Sequence, residues 1–306
     1  MNKGRGFQHG WWLMLITLGV MLATALPFSF AYSEDKQFAY MMFNEITLII
    51  PLLVGFCFVN AEDCSGSIID RIGIKGFSPK VLPFIILLLV AGQFFVNYAT
   101  LPIQTILTIL LGGREYDFAN GVENLWQNIL LMCVLAPIFE EILCRGILMD
   151  LFKRYGVAKM LIYSSFGFAV LHFDMQSLIP LFFIGILLGM IRITTDSIFA
   201  AMVAHSASNL FALLSITFEQ FGVFAETVIV ILGTVAFPFL VWYYFKKCSG
   251  CFKCRRELIQ AEASPTGFSA ALVIILFLFV ISGFALAVSR FISGELFYDI
   301  RSLFIY

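Results

Sequence analysis

Apolar residues along this chain come in long runs, and the breaks between the runs are short, polar and charged. The pattern predicts nine helices of membrane-crossing character. They cover Trp11–Ala31, Met41–Asn60, Val81 to about Leu111, about Asn124–Leu151, Ala158–Phe173, Leu178–Ile193, Ser197–Ile216, about Phe221–Phe245 and Gly267–Phe291. A full crossing takes about 20 residues, so the fifth and sixth runs span only if other helices enclose them. The third is long enough to tilt, or to break near Pro102. A cleavable leader is the competing reading of the first run, with Ser29-Phe30-Ala31 in the place of a cleavage site. The apolar stretch exceeds the ~7–15 residues usual in leaders, which favours a retained span.

Composition sharpens the class. The chain has 306 residues, 60% hydrophobic and 13% charged, and a mean hydropathy of +0.94. Soluble domains run at about 45–50% apolar and about 25% charged. The fold class expected is therefore all-α: a polytopic transmembrane helix bundle forming one integral membrane domain, residues 1–306, with an eight-span core and an extra C-terminal span at 267–291. A net charge of −1 excludes a basic footprint for nucleic acid. Seven scattered cysteines do not form a secreted disulfide framework.

Charge placement then orients the bundle. Of the 19 Lys and Arg, 14 fall in segments that an N-in topology leaves inside, and Lys36, Arg114, Arg290 and Arg301 fall outside. Arg145 lies within a span. Short cytoplasmic loops carry the excess of Lys and Arg, so the N-terminus is expected in the cytoplasm. Residues 246–265 then form a cytoplasmic loop holding Cys248, Cys251 and Cys254. Solvated thiols are the default there; a metal would need a fourth ligand such as Cys64.

The fourth run holds Glu140, Glu141 and Arg145. Each such group costs about 2.5–3.5 kcal/mol at the centre of a membrane helix. Glu141 and Arg145 are i,i+4 neighbours that can pair. Glu140 points about 100° away and needs a partner from another helix. Two of the three histidines, His172 and His205, lie in apolar runs, and Asn209 follows His205 at i+4; His9 is read as incidental. Counted from inner helix ends at ~1.5 Å per residue, Glu140, His172 and His205 sit about 14, 21 and 12 Å deep, in the cytoplasmic half or near the midplane. A carboxylate and an imidazole can polarise a water between them, while a second imidazole and a carboxamide can hold an oxyanion. That set suits amide hydrolysis without a covalent intermediate. Cys144, at i+4 from Glu140, is disfavoured as a nucleophile because the carboxylate opposes its thiolate.

These residues resemble the signature of the CAAX-protease and bacteriocin-processing (Abi) family of glutamate-type intramembrane proteases. Its three motifs read here as Glu140-Glu141-Ile142-Leu143-Cys144-Arg145, Phe168 to His172, and His205 to Asn209, within residues 124–214. The resemblance implies an endopeptidase similar to the type II CAAX prenyl endopeptidase. Glu140 would be the general base, His172 its partner on the water, His205 and Asn209 the oxyanion site, Glu141 and Arg145 supporting residues, and Phe168 packing. It implies a peptide or lipidated-peptide substrate, membrane lipid as surroundings, and a bacterial-type plasma membrane. No cofactor is expected; zinc on Glu140, His172 and His205 is the less favoured alternative, since no His-Glu-x-x-His helix is present. A non-proteolytic immunity or scaffold protein and a proton-coupled transporter stay open as other classes. Gly185-x-x-x-Gly189 marks a close helix contact, within the bundle or in a homodimer.

Overall fold

A computed structural model describes residues 5–30, 37–62, 66–112, 125–218, 223–258 and 269–293. Everything below concerns these residues. They form an all-helical membrane-type bundle without strands.

In chain order the helices are α1 Arg5–Phe30, α2 Gln37–Thr47, α3 Ile49–Ala61, the short α4 Ile68–Ile72, and α5 Leu82–Leu111. Next comes α6 over residues 125–152, a run of α-helical turns interrupted by two π-helical segments. Then follow α7 Val157–Leu171, α8 Leu178–Thr195, α9 Ile198–Phe218, α10 Val223–Leu258 and α11 Ala270–Ser293. Five stretches are long and apolar enough to cross a membrane: Gly6–Ala25, Phe38–Ala61, Pro79–Leu111, Leu178–Thr195 and Ala270–Ser293. α7 is an apolar helix of 15 residues and is enclosed, with Ser164, Ser165, Phe168, Ala169 and Val170 all buried.

Local chemistry explains the breaks. Pro51 cannot donate to the carbonyl of Thr47, four residues back, and the helix is interrupted at Leu48 between α2 and α3. Pro102 does not break α5. The helix continues through it, and just past it the Gln104 carboxamide donates to the carbonyl of Asn97 (3.2 Å). Ser67 caps α4, accepting from the amide of Asp70, and Gly73 ends it at φ 79°, a left-handed conformation that favours glycine. The loop after α4 docks on the α8–α9 turn, where the Ile198 amide donates to Gly73 O (2.9 Å) and the Ser197 hydroxyl to Lys75 O.

α1 belongs to the core. Trp11, Leu13, Met14 and Leu18 are buried with Phe152 and Leu148 of α6 and Phe168 of α7. His9 also has a role: its ring lies 4.6 Å from that of Phe58, stacked, and shares a 2.9 Å hydrogen bond with Glu62. The expected loop at 246–265 is different from the start. Residues 246–258 continue α10 as helix, and 259–268 lie outside the described residues. The reason is physical: nothing in Lys246-Lys247-Cys248-Ser249 ends a helix, and polar residues are no bar to one beyond the apolar region. Cys248 is half-buried on α10; Cys64 and the side chains of Cys251 and Cys254 lie outside the described residues.

Between lipid-embedded helices, association comes from close packing rather than from exclusion of water. Gly185 and Gly189 of α8 serve this inside the bundle. A Cβ at Gly185 would lie 3.0 Å from Ser165 Cα of α7, and one at Gly189 would lie 2.6 Å from Leu161. The motif thus joins α8 to α7 of the same chain. Gly185→Leu is expected to destabilise the protein by about 1–3 kcal/mol, the usual cost of overpacking, read as a lowered thermal midpoint in detergent. Gly19→Ala, where an added Cβ meets nothing within 4 Å, is expected not to lower the midpoint, since alanine is the better helix former.

Candidate active site

The site is built on α6. Its first π segment, Ile129–Leu135, ends with the Ala136 amide donating to Leu131 O. In that wider register the next carbonyl, Met132, would take its donor from position 137, and Pro137 has no N–H. Asn209 of α9 supplies the donor: its Nδ2 reaches Met132 O at 2.8 Å. The proline that follows the π segment therefore fixes where α9 docks and how the Asn209 carboxamide is turned. Position 137 does not interrupt α6, which continues through Ala136–Glu141 into the second π segment, Ile142–Leu148.

Adjacent glutamates on this helix point to different surroundings, as the 100° step requires. Glu141 is fully buried and pairs with Arg145, Nη1 to Oε1 at 3.0 Å. Arg145 is itself buried. Its Nη2 donates to the carbonyl of Gly185 (3.0 Å), and its guanidinium lies 4.3 Å over the Phe168 ring. Phe168 is more than filler: its ring also meets those of His172 (5.0 Å) and His205 (5.6 Å), both edge-on.

His205 sits between the two acids. Its Nδ1 donates to Glu141 Oε1 at 3.0 Å, and its Nε2 lies 3.9 Å from Glu140 Oε2. The sequence pairs Glu141 with Arg145 alone; the fold adds His205 as a second partner. His172 caps the end of α7, where Nδ1 donates to Phe168 O at 3.0 Å. With that proton on Nδ1, the lone pair of the neutral ring is on Nε2. The chain turns away at once, because Phe173 adopts φ 46°. That left-handed conformation costs a side-chain-bearing residue about 1 kcal/mol, and the Phe173 ring is held 4.9 Å from Phe279 of α11.

Glu140, His172, His205 and Asn209 all line one cavity of about 460 Å³. Oε2 of Glu140 is buried and accepts no hydrogen bond from the described residues. Cys144 is fully buried and is not among the cavity-lining residues. Ser208 lines the cavity and donates its hydroxyl to Gln93 of α5. Among the described residues no three His, Cys, Asp or Glu side chains are grouped to hold a metal ion. Glu140 and His205 stand within their helices, away from both ends, and His172 at the end of its own.

Residues 122–211 match the family model described as type II CAAX prenyl endopeptidase Rce1-like. The site lies in an Rce1-like domain. This Rce1-like segment contains all four cavity residues and the Glu141–Arg145 pair. No curated protein and no solved structure matches the chain.

Residues outside the Rce1-like segment complete the cavity, and sequence reasoning missed them. Glu45 of α2 lines it, with a buried Oε2 that accepts no hydrogen bond from the described residues, within electrostatic reach of Glu140. Charging two carboxylates in one poorly solvated cavity costs more than charging either alone. The signal was present, since an acid inside the apolar run Met41–Asn60 is itself unusual. Gln93, Asn97 and Gln104 add a stripe of carboxamides from α5.

Removing one member of the buried pair leaves the other charge uncompensated, at about 3–5 kcal/mol. Arg145→Met is expected to lower the unfolding midpoint more than the double variant Glu141→Gln/Arg145→Met does. A double-mutant cycle on thermal midpoints in detergent measures that coupling.

Proposed function

We propose that this protein is an intramembrane endopeptidase that hydrolyses a peptide bond with a water activated by Glu140 and His172. The observation that carries the reading is the convergence of Glu140, His172, His205 and Asn209, from three helices, on one cavity within the bundle. The Rce1-like match over the same residues supports it.

In this reading the water lies between Glu140 and Nε2 of His172. Glu140 takes a proton as the water oxygen attacks the scissile carbonyl carbon, and the same proton passes to the departing amine as the C–N bond breaks. The carbonyl oxygen gains negative charge in between. Asn209 can meet it, since its Nδ2 carries two hydrogens and Met132 O takes one. His205 can donate from Nε2 only when both ring nitrogens carry hydrogen, because Nδ1 already donates to Glu141. Arg145 balances Glu141 and holds it in place. Activation thus uses the chain's own side chains, and the substrates proposed are CAAX-type or bacteriocin-like peptides.

The test is cleavage of peptide and lipidated-peptide libraries by the purified protein. Glu140→Gln and His172→Ala are each expected to lose at least about 10²-fold in rate, the range for a general base, with unfolding midpoints close to wild type. Asn209→Ala is expected to lose about 10²-fold through kcat, as oxyanion donors do. Cleavage that survives Glu140→Gln overturns the assignment. A chelator series on the same assay is expected to leave the rate unchanged.

A further inference from the structure

The cavity has a direction. Its lining residues approach one end of the bundle: Met41 lies in the first turns of α2, Ser177 caps the start of α8, His172 caps the end of α7, and Gln104 is near the end of α5. These helix ends are tied into one face. Gln176 donates to the carbonyl of Gly112, just past α5, and Phe38 of α2 meets Trp126 of α6 edge-on at 5.5 Å.

The opposite face gathers the ionic side chains. Arg71 bonds Asp150 (2.5 Å), Lys153 bonds the same aspartate, Arg154 pairs with Glu62 (3.5 Å), and Lys75 and Arg192 both reach Asp196 (3.3 and 3.1 Å). Lys159 at the start of α7 and Lys246 on α10, two residues past the Tyr244 that bonds Met190 O of α8, fall at that face too. At the cavity face, the described basic residue is Arg290, which caps the end of α5 by donating to Thr108 O and Ile109 O (2.9 and 3.0 Å). Short segments rich in Lys and Arg are retained on the cytoplasmic side.

We propose that the cavity faces the non-cytoplasmic side of the membrane and takes a peptide that arrives from there, an exported or surface-anchored chain rather than a cytoplasmic prenylated tail. The word substrate rests on the peptidase reading; the direction of the cavity does not. The α5 stripe suits such a ligand. Gln93 to Gln104 covers about 16 Å of helix, the length of about five extended residues, and carboxamides can both donate to and accept from a peptide backbone that lipid would leave unpaired.

Right-side-out and inverted membrane vesicles distinguish the two faces. Ser177→Cys, Gln104→Cys and Lys159→Cys are introduced singly, the native cysteines are kept, and wild type serves as the blank for a membrane-impermeant charged maleimide. Ser177→Cys and Gln104→Cys are expected to gain label at least tenfold faster in right-side-out vesicles, and Lys159→Cys in inverted ones. Faster labelling of Ser177→Cys and Gln104→Cys in inverted vesicles overturns the proposal. The same labelling in the Glu140→Gln background is independent of turnover. Loss of cleavage everywhere with outside labelling intact therefore sinks the peptidase reading and not the orientation.

Discussion

A charge placed inside an apolar bundle must be answered there, and in this protein the answer to Arg145 organises the site. Its guanidinium bonds Glu141 on its own helix, the carbonyl of Gly185 on α8 and the face of Phe168 on α7. Glu141 in turn takes the Nδ1 proton of His205 on α9. One buried cation thereby fixes four helices against one another. A pair of this kind is weak support for net stability, since the desolvation it requires offsets its attraction. Its effect here is on geometry. With Glu141 engaged, the neighbouring Glu140 is the acid left facing the cavity, and His205 is oriented with Nε2 toward it.

The backbone of α6 contributes as much as its side chains. Two π segments flank Ala136–Glu141, so the helix is widened on both sides of the acids. π segments recur at functional sites because they leave carbonyls without their usual donors and shift side chains around the helix. Here the unanswered carbonyl is Met132, and Asn209 answers it. A cavity-lining residue is thus also a tie between α6 and α9. α11, outside the Rce1-like segment, helps from a distance: Phe279 supports Phe173 just after His172, and Arg290 closes the end of α5.

The polar groups divide between two ends of the bundle. The cavity that holds Glu140 and His172 opens toward one, and the Lys, Arg and Asp pairs collect at the other. Arg145 stands between them, lining the small ionic pocket that also holds Arg71, Asp150 and Arg192 while bonding Glu141 of the site.

Much of this was legible in the order of residues. Long apolar runs give a helix bundle because a backbone in lipid must satisfy its own hydrogen bonds, and the i,i+4 spacing of Glu141 and Arg145 gives their pair. The acids, histidines and asparagine stood out because polar groups are costly in such runs. Tertiary structure decided the rest. Which acid His205 binds, the use of Gly185 and Gly189 on α7, the helical course of residues 246–258 and the inclusion of Glu45 and the α5 carboxamides all depend on which helices become neighbours. Sequence spacing orders groups along one helix. It carries no information about the rotation of that helix against the next, and at this site that rotation separates a supporting carboxylate from the one that faces the cavity.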